Sequence, residues 1–195
     1  MAQPVSPATA PDSKALHYLV GAAAILAPAL HSATDVFELA NGGFTPAMLW
    51  LNYIAFLPMP WLLLGIYVVH DVRPPALGLV GAILYGTAFT YFAHTTLFAL
   101  IQHTPTYEAL WLALGTAYTV HGALMVIGGL MFAWAMLRAA WLPRTAIWLL
   151  ASGLLFNLVL AVLPVPDILQ TLGTALRNTG LLIVGYAILS HARKS

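Results

Sequence analysis

Three histidines inside apolar stretches are the residues of this chain best suited to metal chemistry: His31, His94 and His121. Neutral imidazole is the commonest metal ligand in proteins, and three imidazoles with a carboxylate or water would suit Zn or non-haem Fe. Two imidazoles on neighbouring helices would instead suit the axial positions of haem b, and single ones the Mg of a chlorophyll-type pigment. No H-x-x-H, H-E-x-x-H or H-x-x-x-H spacing occurs, so this hypothesis requires the fold to bring the three rings together.

A second group of residues would support acid–base chemistry or ligand binding without a metal. His31, Asp35 and Glu38 are spaced i, i+4, i+7, which places them on one face of a helix. Arg177 also lies in an apolar stretch, where a charge costs at least ~2.5–3.5 kcal/mol and needs a partner. We interpret Asp35, Glu38 and Arg177 as candidate catalytic residues, with a purely structural ion pair as the alternative. The polar residues that we expect to bind a ligand beside them are Asn52, Tyr91, Tyr118, Asn157 and Asn178.

The elements that must position these residues are membrane helices. The chain has 195 residues, of which 61% are hydrophobic and only 7% charged, whereas a soluble domain carries about 25% charged residues. Apolar stretches longer than the ~20 residues that cross a bilayer recur along it. This composition predicts an all-α, polytopic membrane protein. The net charge of +1 without a basic run argues against nucleic-acid binding, and the absence of cysteine excludes disulfides and thiolate metal sites.

Six apolar segments joined by short loops follow a polar, Pro- and Ala-rich tail at residues 1–14. They cover residues 15–38, 45–70, 75–103, 108–138, 142–163 and 168–191. At ~1.5 Å per residue each can cross the ~30 Å core of a bilayer as a helix. We therefore predict a single antiparallel six-helix transmembrane domain over residues 15–195. A signal peptide is the alternative for the first segment, but its leader has no basic cluster and its apolar run has no clean cleavage site.

Prolines and glycines predict local features of these helices. Pro28 should kink the first helix, and Pro58 and Pro60 should kink the second, because proline removes a backbone hydrogen bond. Small residues permit close helix packing in membranes. We expect that role for the series that includes Gly115 and Gly122 in the fourth segment, and for the series Gly173, Gly180 and Gly185 in the sixth.

The basic residues predict the orientation of the chain. Six of the seven Lys and Arg residues lie on the side that holds both termini: Lys14, Arg73, Arg138, Arg144, Arg193 and Lys194. The loops on the other side, at 39–44, 104–107 and 164–167, contain neither residue type. Cytoplasmic loops of membrane proteins are enriched in Lys and Arg, so we predict a multi-pass cell-membrane protein with cytoplasmic N- and C-termini.

Eight of the candidate site residues lie at similar depths, about 12–20 Å from the outer end of their segments: His31, Asn52, His94, Tyr118, His121, Asn157, Arg177 and Asn178. This predicts an intramembrane polar pocket that opens outward. We expect it to bind a metal or haem and to act on or sense a small apolar, lipid-type ligand. The first alternative is a metal-free lipid- or quinone-binding enzyme that uses His, Asp and Arg. The second is a transporter, or a non-catalytic accessory subunit of a larger membrane complex. The expected partners are membrane lipid, a quinone-like ligand and, through a small-residue face, another copy of the chain.

Overall fold

The chain folds entirely into helices over the residues that the computed structural model describes, namely 13–70, 74–160 and 167–194. Most of the tail predicted at 1–14 lies outside these ranges, as do Arg73 and the end of the predicted fifth segment. The eight helices in the described residues are α1 Ser13–Asn41, α2 Pro46–Phe56, α3 Met59–Val68, α4 Ala76–Ile101, α5 Tyr107–Leu114, α6 Thr116–Ala139, α7 Arg144–Leu160 and α8 Asp167–Lys194.

The predicted second segment is a helix interrupted by its prolines. Helix α2 ends at Phe56 and α3 begins at Met59. Pro58 and Pro60 have no backbone N–H, so neither can bond the carbonyl four residues earlier. This confirms a proline distortion in the segment. Pro28 behaves differently, because α1 continues through it as one helix.

The predicted fourth segment is two helices rather than one, so the expectation of a single helix over 108–138 was wrong. Helix α5 ends where the N–H of Gly115 bonds to the carbonyl of Trp111, at 2.8 Å. Gly115 has φ +52°, a left-handed conformation that glycine adopts without a steric penalty. Helix α6 then starts at Thr116. Apolar periodicity alone did not reveal this break.

Three closely packed pairs of helices run antiparallel: α1 with α8, α4 with α6 and α7 with α8. Gly21 and His31 of α1 face Gly185 and Asn178 of α8, so the start of α1 lies beside the end of α8. The same reversal relates α4 to α6 and α7 to α8. We call the end of the bundle with the start of α1 the basic end, because its described cations are Lys14, Arg138, Arg144, Arg193 and Lys194. The opposite end, with Glu38 and Glu108, is the acidic end.

Glycines let the helices approach until their backbones touch. Gly81 of α4 packs against the backbone of Phe132, and Gly128 of α6 packs against the backbone of Tyr85. Gly173 and Gly180 of α8 contact α7, and Gly185 contacts α1, which confirms the predicted role of that series. Gly122 faces open space instead, so its predicted packing role was wrong.

Five stretches of the described chain are long and apolar enough to cross a membrane: Lys14–Asn41, Pro46–Val68, Ala76–Ile101, Thr116–Ala139 and Ile168–Lys194. The second combines α2 and α3. Helix α7, within the predicted fifth segment, is apolar but has only 17 described residues, or about 25 Å at ~1.5 Å per residue. The fold is that of a multi-pass helical bundle.

The Gly128 contact generates a matched pair of substitutions. A Cβ at Gly128 would lie 2.5 Å from the Tyr85 nitrogen and 2.7 Å from the Leu84 Cβ. Gly128→Ala should therefore lower the free energy of unfolding by about 1–3 kcal/mol, the usual cost of overpacking. Gly122→Ala meets no atom within 4 Å and should leave stability unchanged or slightly raised. Unfolding of the purified protein in detergent measures both. Equal losses in the two variants would contradict the helix packing described here.

Candidate functional site

Arg177 lies at the centre of the bundle, ten residues from the start of α8 and about 15 Å from the acidic end of that helix. It is 2% exposed. Its backbone meets Gly153 of α7, while its side chain reaches α6 and α1. Close packing of α8 against α7 therefore directs the guanidinium toward the helices on the other side.

The guanidinium contacts neutral acceptors, and its contacts with the two nitrogen- and oxygen-bearing side chains are long. Its Nη2 lies 3.3 Å from Nδ1 of His31, its Nε donates to Oδ1 of Asn178 at 3.4 Å, and its Nη1 donates to Sδ of Met125 at 3.1 Å. The guanidinium carbon of Arg177 also lies 5.6 Å from the ring centroid of Phe89, which is a cation–π distance. Among the described residues no carboxylate lies within 4 Å of Arg177, so the direct ion pair considered above does not form.

The contacts of His31 assign its tautomer. Its Nδ1 faces the Arg177 guanidinium and also the side-chain amide nitrogen of Asn178, at 3.4 Å. A guanidinium has no acceptor, so Nδ1 must carry the lone pair and Nε2 the hydrogen of the neutral ring. Nε2 faces Oδ1 of Asp35 at 3.5 Å. The three residues form a chain in which imidazole separates the cation from the carboxyl group.

Asp35 has spare hydrogen-bonding capacity. It is 8% exposed, and its Oδ1 has no hydrogen-bond partner in the described structure. The 3.5 Å contact with His31 is longer than a hydrogen bond of normal geometry. A buried acceptor without a donor carries a desolvation penalty. The carboxyl group is therefore prepared to receive a donor from outside the described residues.

Further polar side chains tie α1 to α2 and α8 around this chain. Asn178 donates to the hydroxyl of Ser32 at 2.9 Å, and Thr34 donates to Oδ1 of Asn52. All of these residues except Ser32 are fully buried. Asn52 and Asn178 thus belong to the same network as Arg177, as the depth argument predicted.

Aromatic rings separate this network from lipid. Phe56 packs edge-on against His31, with centroids 4.6 Å apart, and also contacts Phe89 and Phe92. These rings come from α2 and α4. They lower the local dielectric, which strengthens electrostatic interactions within the network.

Two tyrosines, Tyr107 of α5 and Tyr118 of α6, lie toward the acidic end. Burial of the Tyr107 hydroxyl and the negative charges of Asp35 and Glu38 raise the pKa of Tyr107 well above its ordinary value. The phenol therefore keeps its proton and remains a hydrogen-bond donor. Tyr118, from the next helix, packs its ring against Trp111 at 5.5 Å. The last turns of α1, from Asp35 to Glu38, thus lie at the same end of the bundle as these aromatic residues.

The three histidines predicted as metal ligands have different surroundings. His31 belongs to the arginine network. His121 is 2% exposed and lies among the rings of Tyr91, Phe92 and Tyr118, at 6.3, 4.5 and 4.6 Å. His94 is exposed. Across the described ranges no group of three or more His, Cys, Asp or Glu side chains is arranged to hold a metal ion, so the structure lends no support to a metal or haem site.

Two other predicted ligand-binding residues lie apart from the network. Asn157 of α7 donates to the hydroxyl of Thr174 on α8 at 3.1 Å, and its Oδ1 packs against Gly173. It therefore joins two helices. Tyr91 is 49% exposed and stacks on His121, on the outside of α4.

Two cavities lie at the two ends of the bundle. One, of about 190 Å³, lies at the acidic end beside Phe44, Leu49 and His103. The other, of about 280 Å³, lies at the basic end beside Trp141 and His191. Neither is lined by Arg177, His31 or Asp35, so these side chains pack against one another and do not line either cavity.

Sequence reasoning missed several members of the network. Ser32 and Met125 are ordinary residue types in membrane helices, and nothing in their spacing distinguishes them. The contact of Phe89 with Arg177 could not be predicted either, because it depends on the position of α4 against α8. Thr34 alone gave a usable signal, since it lies on the same helix turn as His31 and Asp35.

Comparison of the chain with protein-family models, with curated proteins and with solved structures finds no match. Functional inference therefore depends on the geometry of the network itself.

His31 and His94 form a matched pair of histidines for testing the network. His31→Ala removes the acceptor of a buried guanidinium and leaves a cavity, so the free energy of unfolding should fall by about 2–5 kcal/mol. His94→Ala affects an exposed ring and should change it by no more than about 0.5 kcal/mol. Both are measurable by unfolding in detergent micelles. A similar effect of the two substitutions would mean that His31 does not hold Arg177.

Proposed function

We propose that this chain is a membrane protein that binds the oxygen-bearing end of a small apolar molecule, of quinone or lipid type, at Arg177 without a metal. The observation that carries the proposal is a buried guanidinium whose contacts among the described residues are all with neutral groups. A carbonyl or carboxylate oxygen is a far better acceptor for Arg than a thioether sulfur or an imidazole at 3.3 Å. Such an oxygen would replace the contact with the Met125 sulfur or with His31.

Acid–base chemistry is available next to this position. The unpartnered Oδ1 of Asp35 can accept a hydrogen bond or a proton from a hydroxyl group on the ligand, and His31 lies between Asp35 and Arg177. The side-chain amide of Asn178 supplies a hydrogen-bond donor in addition to the Arg177 guanidinium. We propose Asp35 and Arg177 as the groups that touch the ligand, and His31 as the residue that positions both.

The ligand would reach the site from the acidic end. The backbone there changes direction at His103 and at Gly115, both with φ +52°, on either side of α5. Tyr107 on this segment keeps its hydroxyl near Asp35 and Glu38. Movement of α5 would open a path to Asp35 between α1 and α6.

We further propose that the chain crosses the membrane six times with both termini in the cytoplasm. Two observations support this. The antiparallel packing of α1 against α8 favours an even number of crossings, and α7 would be the sixth. The basic end, which holds both termini, carries the described Lys and Arg residues other than Arg177, as cytoplasmic faces do.

Binding of decylubiquinone tests the ligand proposal, and quenching of tryptophan fluorescence measures this binding. The wild-type protein should bind this quinone, and Arg177→Gln should weaken binding about tenfold or more, since a charge-assisted hydrogen bond is lost. Asp35→Asn preserves shape and should weaken it less. Arg138→Gln, which changes an exposed arginine, is the control, and unfolding curves establish that each variant is folded.

Several outcomes would contradict the ligand proposal. One is an absence of saturable binding of both decylubiquinone and oleate, which supplies a carboxylate. Another is equal affinity in Arg177→Gln and the wild type. Stoichiometric Zn or Fe, or a Soret band, that is lost in His31→Ala, His94→Ala and His121→Ala would instead establish the metal hypothesis. An undisturbed complex with a larger membrane partner in Arg177→Gln would favour an accessory subunit.

Single cysteines test the six crossings, since the natural chain has none. Cysteines at the exposed positions Ala40, Gln102 and Ile168 should react with an impermeant maleimide in intact cells. Cysteines at Ala15 and Arg144 should react only after the cells are opened. Equal external labelling at Arg144 and Ile168 would show that α7 does not cross the membrane.

A further inference from the structure

The basic end of the bundle contains a cluster of rings outside the site described above. Trp141, in the connection between α6 and α7, has ring centroids 4.7 Å from His70 and 5.3 Å from His191. His17 stacks on His191 at 5.7 Å and meets Trp141 edge-on at 6.5 Å. Four separate parts of the chain are thereby held together where α1 begins and α8 ends.

A cavity of about 280 Å³ opens beside this cluster. Its polar lining residues, Ser190, His191 and Lys194, belong to the last turns of α8. Its apolar wall is formed by Trp141, Leu142 and Ala187. A water molecule takes about 30 Å³ in the liquid, so the cavity can hold a group several times larger. Polar groups on one side and apolar groups on the other suit an amphiphile.

The charge around the cavity favours an anion. Lys194 lines the cavity, and the other described cations of the basic end are Lys14, Arg138, Arg144 and Arg193. The carboxyl side chains that the structure describes, namely Asp35, Glu38 and Glu108, lie toward the acidic end instead. The polar groups that line the cavity are hydrogen-bond donors when they face an anion.

We propose that this cavity binds a phosphate group, with Lys194 and Ser190 as its principal donors and Trp141 against the adjacent apolar part. The phosphate can belong to the headgroup of an anionic phospholipid or to a free phosphate ion, and both offer the same oxygens to these donors. The apolar wall favours the lipid. Lys and Arg at a membrane surface attract anionic lipids at about 1 kcal/mol per residue, and tryptophan is enriched at that depth.

Native mass spectrometry of the detergent-purified protein tests this proposal. The probes are phosphatidylglycerol, diacylglycerol, which lacks the phosphate, and inorganic phosphate in a competition arm. Phosphatidylglycerol should bind at least tenfold better than diacylglycerol. Lys194→Gln and Ser190→Ala should each reduce its binding severalfold, and together about tenfold or more, because charge-assisted and neutral hydrogen bonds to phosphate are lost.

Arg138→Gln is the matched control, since Arg138 is a basic-end cation that lies over Trp134 rather than in the cavity. It should leave phosphatidylglycerol binding within twofold of wild type. Competition by millimolar inorganic phosphate would assign the site to phosphate in general, and a lack of competition would assign it to the lipid. Equal binding of phosphatidylglycerol and diacylglycerol, or equal losses in Arg138→Gln and Lys194→Gln, would overturn the proposal.

Discussion

The burial of Arg177 is the constraint on which the centre of this protein depends. A guanidinium keeps its charge at any accessible pH, so the surrounding structure must supply acceptors in place of water. It does so with one imidazole, one amide and one thioether, from α1, α8 and α6. Removing a single partner from a buried charge is costly, so these helices are fixed relative to one another by polar contacts as well as by packing. An ionised Asp35 would balance the charge of Arg177, with His31 between the two groups. At that separation the Coulomb attraction persists only because the local dielectric is low.

Glycine contacts make this arrangement possible. Helices in lipid have no hydrophobic drive to associate with one another, so they depend on close van der Waals packing and on hydrogen bonds. Gly153 lets the backbone of Arg177 approach α7, and the contact between Gly21 and Gly185 brings α1 against α8. These two contacts determine how far the guanidinium must extend to reach His31. A side chain at any of these three glycines would separate α8 from α7 or α1. The contacts of Arg177 with His31 and Asn178, already 3.3–3.4 Å, would then lengthen.

The sequence was most informative where the cost of a residue is large. Arg177, His31 and Asn178 could be assigned to a shared layer because charges and amides in apolar helices require partners, and the structure brings them together. Asp35 followed from helical spacing. The break at Gly115 was missed because apolar periodicity continues across it, and only a positive φ reveals the turn. The distribution of His31, His94 and His121 could not be predicted either. Whether a ring faces inward depends on the rotation of its helix, which neighbouring helices determine and a single sequence does not show.

The distribution of charge gives the two ends of the bundle different chemistry. Toward the acidic end, phenols and carboxyl groups lie close together, and a carboxyl oxygen is buried without a donor. Toward the basic end, ammonium, imidazole and hydroxyl groups surround a cavity. Arg177 lies between them, and its contacts with neutral atoms leave its charge uncompensated at short range. The ligand proposed for Arg177, with a carbonyl or carboxylate oxygen, would gain most from that position, because the surrounding side chains are buried and each hydrogen bond is stronger there than at either surface. The same position would give little to a purely apolar molecule, which could not replace the polar contacts it displaced. Selectivity at Arg177 would therefore arise from the penalty for leaving the guanidinium without an acceptor, more than from the shape of a preformed pocket.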